Sequence, residues 1–146
     1  MNTEIIMSIT LGNISLGTYI QMVSAASNII DKAEEALNTE EIVSMQLHED
    51  MKPFTFQVFS IVHHSVGAIE ALKTGEFGPP MMPDNLSFED LKNMIKEAEK
   101  DLKSMNSSEI DGLSNSKVFL KWDRLNGPLQ QQTLFYLFRY QIFIFI

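Results

Sequence analysis

Apolar residues recur along this chain with the spacing of helices, three or four positions apart. Leu11, Ile14, Met22, Ala25, Ile29, Ala33 and Ala36 follow a 3.6-residue period, with Thr18 the one polar member of the stripe. Asp31, Lys32, Glu34 and Glu35 lie off it, so the pattern predicts an amphipathic helix over 11–37 that ends near Asn38. Thr39, followed by Glu40 and Glu41, predicts the cap of a short helical turn running through Met45. A second long helix is predicted over 53–74. It opens at Pro53, whose missing N–H needs no partner in a first turn, and closes at Gly75, which tolerates the left-handed terminal conformation. Its stripe is Phe54, Val58, Ile61, Val62, Ile69 and Leu72, with Ser65 the polar member. Gly78, Pro79, Pro80 and Pro83 predict a loop from Gly75 to Asn85. Ser87 with Asp90 makes a capping-box start for a third helix over 87–105. Its apolar face is Phe88, Leu91, Met94, Ile95, Ala98, Leu102 and Met105, and Lys92, Lys96 and Lys100 lie on its wet side. Glu99 and Lys103 form a favourable four-apart pair there.

After Gly112 the periodicity fades. Lys117 to Trp122 reads as a short strand or an irregular crossover, and Leu134 to Ile146 is dense in Phe, Tyr and Ile without a clean period. Three long helices with short links and room for a fourth predict an all-α, up-and-down four-helix bundle whose fourth helix is aberrant or truncated. Residues 1–112 would be the bundle core and 113–146 the aberrant closing segment.

Composition narrows the function classes. Cysteine is absent, which removes disulfides, thiolate metal sites and a cysteine nucleophile, and agrees with a reducing compartment. The first ten residues carry Glu4 and no Lys or Arg, unlike a signal peptide. The most apolar run, Leu134–Ile146, holds Arg139 and Gln141 and falls short of the ~20 residues that span a bilayer. The expectation is a soluble, cytoplasmic protein without a membrane partner. A net charge of −8 also argues against nucleic acid as a partner. The charge is uneven: residues 1–112 hold 7 Lys/Arg against 18 Asp/Glu, net −11, and residues 113–146 hold 4 Lys/Arg against Asp123 alone, net +3.

Few residues offer chemistry. His63 and His64 are neighbours on a helix and so point about 100° apart, which prevents both from serving one metal in regular geometry. His64 shares its side with Gln57, Ser60, Gly67 and Ala71, a small and polar face suited to solvent or a polar cavity. From the residues alone a structural or solvated role outweighs metal ligation, because a zinc site needs three or four ligands. His48 is the only other histidine, and no paired metal spacing, Gly-x-Ser-x-Gly turn or Gly-rich phosphate loop occurs. The scattered carboxylates read as solvated surface and the nine methionines as core filler.

One constellation carries a resemblance. Asp50-Met51-Lys52-Pro53, then His63-His64-Ser65-Val66-Gly67-Ala68, then Ser87-Phe88-Glu89-Asp90-Leu91 follow one another with the order and spacing of an uncharacterised domain family. Asp31-Lys32-Ala33-Glu34 agrees with it as well, and the resemblance covers roughly residues 7–112. That family belongs to the DinB-like superfamily of four-helix-bundle metalloenzymes. The resemblance implies that His64 stands at the superfamily's helix-two metal ligand, with His63 replacing an aspartate. There a histidine joins others near the C-terminal helix to hold a divalent metal.

Such relatives close their fourth helix with Pro-Asn-Phe-Tyr-Phe-His, which this sequence lacks, and no histidine follows His64. Tyr140 to Ile146 can be encoded as TAC CAA ATT TTT ATT TTC ATT; read from the last C of the first codon, the same bases give Pro-Asn-Phe-Tyr-Phe-His. The expectation is a frame-shifted or mis-spliced ending, an incomplete site and weak or absent metal binding. Two functions stay open: a metal-dependent hydrolase or transferase acting on a small molecule, or a non-catalytic helical module that binds an apolar ligand or forms a homodimer.

Overall fold

A computed structural model describes residues 9–79, 81–121 and 127–129. The long helices are α1 (Leu11–Ala36), α3 (Phe54–Thr74) and α4 (Phe88–Ser104), with the short helices α2 (Thr39–Ile42) and α5 (Ser107–Gly112) beside them. Strands β1 (Glu76–Phe77), β2 (Val118–Leu120) and β3 (Gly127–Leu129) form a small sheet in the order β1-β2-β3. The described chain is thus mostly helical, and the three long helices begin and end within one residue of their predicted bounds. The expected closing segment Leu134–Ile146, and the frame-shifted ending read within it, lie outside the described residues.

Helix α4 shows how sequence becomes structure most directly. The Ser87 side chain accepts from the Asp90 N–H at 3.1 Å, and the Asp90 carboxylate accepts from the Ser87 N–H at 2.9 Å, completing the capping box. Phe88, Leu91, Ile95, Ala98 and Leu102 are buried, and Met94 and Met105 pack on the same core. Lys103 reaches Glu99 at 2.6 Å on the wet side, where Glu99 also accepts from Ser24 of α1 at 2.5 Å. Lys92 pairs with Glu34 of α1.

Helix α3 also buries its expected stripe. Val58 and Ile69 are buried, while Phe54, Ile61, Val62 and Leu72 pack against the core. Ser65 is fully enclosed, and its hydroxyl donates to the Ile61 carbonyl at 2.7 Å, so its polarity is satisfied within the helix. Pro53 precedes the first helical residue rather than occupying it. Gly75 ends the helix in the left-handed region, with φ 78.

Helix α1 departs from expectation in its facing. The buried residues are Gly12, Ser15, Leu16, Tyr19, Val23, Ala26, Ile30 and Ala33, so the predicted stripe is rotated away from the core and shares only Ala33 with it. Ile14, Thr18, Ala25, Ile29 and Ala36 are exposed. From Leu11 to Ile30 the helix carries no charged residue. Two apolar stripes therefore exist side by side, and without charge to mark the wet face the period alone selects neither.

Three smaller corrections concern helix ends and strands. Asn38, not Thr39, caps α2, accepting from the Glu40 N–H at 3.1 Å. The stretch after residue 105, for which no helix was predicted, forms α5, with Asn106 accepting from the Ser108 N–H at 3.0 Å. The span expected to be loop from Gly75 contains β1, which pairs in parallel with β2, Glu76 opposite Phe119 and Phe77 opposite Leu120. The strand alternative for Lys117–Trp122 is realised as β2, which pairs antiparallel with β3. Among the described residues no helix is long and apolar enough to cross a membrane.

Candidate functional site

His63 and His64 sit mid-way along α3, where the chain turns back through Gly75 into β1. Both are half-buried, so neither is the enclosed partner of an exposed neighbour. Their rings meet edge to face at 5.1 Å between centroids and 83° between planes, as expected of adjacent helical side chains.

The two imidazoles differ in their surroundings. The His64 Nδ1 lies 2.7 Å from the Ser60 carbonyl oxygen, one turn earlier on the helix. A carbonyl only accepts, so Nδ1 carries the proton and the neutral ring has its lone pair on Nε2. Metal-binding histidines are commonly fixed this way, by donating the second ring N–H to a backbone carbonyl. His63 instead stacks on Phe77 of β1, with centroids 4.7 Å apart and planes 23° apart. Its ring lies over Gly67, where an added Cβ would stand 3.3 Å from the His63 Nδ1. The small face expected beside His64 is therefore used in part by His63. Ala71, on that same face, is buried, and Gln57 donates to the Lys52 carbonyl at 3.0 Å.

Both histidines are held below the ordinary imidazole pKa of 6.5. For His63 the causes are burial and then the neighbouring His64, offset by a hydrogen bond with the Gly78 backbone. For His64 burial dominates, offset by the Ser60 carbonyl. The pair is thus biased toward neutral rings, the protonation state in which imidazole nitrogen ligates metals or accepts protons.

The ligand set ends there. Among the described residues no three His, Cys, Asp or Glu side chains are grouped to hold a metal ion. His48 lies apart, with its Nδ1 2.6 Å from the exposed Asp50 carboxylate. One oriented imidazole does not meet the three or four donors of a zinc site, so the described residues alone do not fit a divalent metal. Phe77 and Gly78 are the site residues that sequence reasoning missed. Their only signal was an aromatic residue set between two glycines in a segment read as loop.

No curated protein matches the chain. A family model does match, over residues 11–145, a span that takes in the closing segment as well as the described helices. On that match the chain belongs to the family described as Domain of unknown function (DUF1993).

Proposed function

We propose that this chain is a DinB-like four-helix-bundle protein, of the kind that holds a divalent metal for hydrolysis or group transfer on a small molecule, with a metal site reduced to His64. Residues 1–112 would make the bundle core, and 113–146 the altered fourth helix. The observation that carries the reading is the 2.7 Å contact between the His64 Nδ1 and the Ser60 carbonyl, which presents Nε2 as the basic nitrogen. With one protein donor in place, the remaining coordination positions fall to water, and affinity drops with each ligand lost. No reaction step is assigned through a metal on such a set. The absence of cysteine and the net charge of −8 support a cytoplasmic setting and a small-molecule partner rather than a nucleic acid.

Calorimetric titration with zinc and nickel tests this. The chain as written should show no tight stoichiometric binding. A variant whose ending is restored to Pro-Asn-Phe-Tyr-Phe-His should bind, and His64→Ala in that variant should abolish binding. Tight binding by the present chain would overturn the reduced site; failure of the restored variant would sink the metal reading. The second reading, a non-catalytic self-associating module, is favoured by one observation, the exposed apolar flank of α1.

A further inference from the structure

Asp111 stands at a junction between a tertiary contact and a reactive backbone. Its carboxylate reaches across to α1, where the Gly12 N–H donates to it at 2.7 Å. The residue after it is Gly112, and no other aspartate of the chain precedes a glycine. Glycine brings no side chain to hinder its own nitrogen, and a Cβ built on Gly112 would meet nothing within 4 Å. The Gly112 nitrogen is thus sterically free to attack the Asp111 side chain.

We propose that Asp111-Gly112 is an isomerisation site gated by the clasp between α5 and α1. The Gly112 nitrogen bonds to the Asp111 Cγ, the Cγ–OH bond breaks, and the hydroxyl leaves as water with the amide proton. Water then opens the five-membered imide at the former backbone carbonyl. The chain now runs through Cβ, and the carboxylate sits on Cα. One water is lost and one is regained, so solvent is the only co-reactant. None of this rests on the metal reading.

Two restraints block the reaction while α5 is docked. The carboxylate is engaged on Gly12 of α1. Asp111 also lies within α5, and a helical backbone turns the following nitrogen out of the plane that the imide ring requires.

The gate is light. Helix α5 has only 6 residues, too few to persist without tertiary support. Its support is the buried Ile110, the Asn106 cap and the Asp111 clasp. An element held by so little opens locally at a lower free energy than the whole fold. Undocking removes both restraints in one event, since a free carboxylate and a frayed last turn go together.

Isomerisation then makes one opening permanent. The new carboxylate is a methylene closer to the backbone, and the backbone is a methylene longer. The Gly12 N–H loses its distant acceptor, and α5 loses the register that brought it there.

Ageing the full chain at constant pH and temperature, folded and in urea, tests the proposal by peptide mapping. Tryptic peptide 104–117 carries Asp111-Gly112 and excludes Asn126-Gly127, which yields isoaspartate by losing ammonia. Isomerisation leaves the mass unchanged, which separates it from ammonia loss at Asn106 or Asn115 within the peptide. In the folded wild-type chain the product should form roughly tenfold or more slowly than in urea, because only the open population reacts. Gly12→Ala and Asn106→Ala, each compared with its own rate in urea, should accelerate it about fivefold, the shift that accompanies a lost cap. Gly112→Ala should suppress the product in both states. Ile30→Ala weakens the core at the other end of α1 and should leave the folded rate near that of wild type. Circular dichroism confirms that each variant folds. Equal rates in the folded chain and in urea would overturn the gate, as would no acceleration by either clasp variant. Acceleration by Ile30→Ala as large as by Gly12→Ala would overturn it too, because the reaction would then follow global unfolding. The isolated isoaspartyl form should melt below the fresh chain, and an unchanged melt would overturn the permanent release.

Discussion

The Asp111 carboxylate accepts a hydrogen bond from the Gly12 N–H at 2.7 Å, so the last turn of α5 caps the first turn of α1 across 99 residues of sequence. Gly12 is required for this approach. A Cβ there would lie 2.1 Å from the Ser107 carbonyl oxygen, closer than any backbone contact allows. Thr10 supplies a second, local cap at the Asn13 N–H, so the first turn of α1 is held by one near and one distant oxygen.

Gly12→Ala should therefore destabilise the fold by roughly 1–3 kcal/mol, through overpacking and a displaced α5. Asp111→Ala should cost about 1 kcal/mol, as for a lost helix cap. The double variant should cost less than the sum, because the first change already moves the second group away. Urea denaturation of the three variants checks this, and full additivity would show that the two residues act separately.

Neighbouring isoleucines on α1 should behave in opposite ways. Ile30 is 2% exposed, and Ile30→Ala should cost ~2–5 kcal/mol by leaving a cavity. Ile29→Ala, one position away, should change monomer stability by about 0.5 kcal/mol or less. Thermal melts of the two variants make the comparison. Equal losses at both positions would contradict the rotated face.

That rotation marks where the sequence is a poor guide. Helix α4 was legible because Lys and Glu alternate with Leu and Ile around its circumference, so only one face can be dry. In α1 the residues outside the true core stripe mix Ile14, Ala25 and Ile29 with the uncharged polar residues Asn13, Thr18, Gln21 and Asn28. A helix whose wet side carries no charge over most of its length gives its bounds but not its rotation. Strand β1 is two residues long, too short for any alternation to show, and exists because β2 arrives beside it from a distant part of the chain. The candidate site was legible as a residue, His64, but not as an arrangement. Nothing local announced that Ser60 would fix one ring or that Phe77 would cover the other.

Acid should loosen the region around the histidines. Both rings have folded-state pKa values below the 6.5 of an unfolded imidazole, so beneath that value the unfolded chain binds more protons than the folded one. Their contribution to stability is present above about 6.5 and is lost as pH falls through the lower folded values. Replacing both histidines by Gln should flatten the stability profile just below neutrality without altering its decline at the more acidic pH where carboxylates protonate. Melts of the wild-type and double-variant chains against pH measure the slope. Parallel profiles would refute the assignment.

Tyr19 should set the opposite, alkaline limit. Burial pushes its hydroxyl up to about 12 from the ordinary 10.0. Above the ordinary value the unfolded chain releases a proton that the folded chain keeps, so stability is complete below it and falls as pH rises through the folded value. Spectrophotometric titration at 295 nm should show one tyrosine ionising about two units later than an exposed phenol. Tyr19→Phe should remove that late step.

The stack of His63 on Phe77 answers to the chain far downstream. Phe77 is held in β1 by β2, with the Lys121 N–H donating to the Phe77 carbonyl at 2.7 Å and the Lys121 ammonium reaching Glu76 at the same distance. Bringing these segments together closes a loop that contains the whole of α4 and α5, an entropic cost met only once both helices exist. During synthesis, α1, α3 and α4 can therefore associate while the ring of His63 still lacks its aromatic cover. The aromatic cover of His63 is fixed only when residues 118–121 can pair with β1. A chain ending before Val118 would lack the strand that holds Phe77 beside His63.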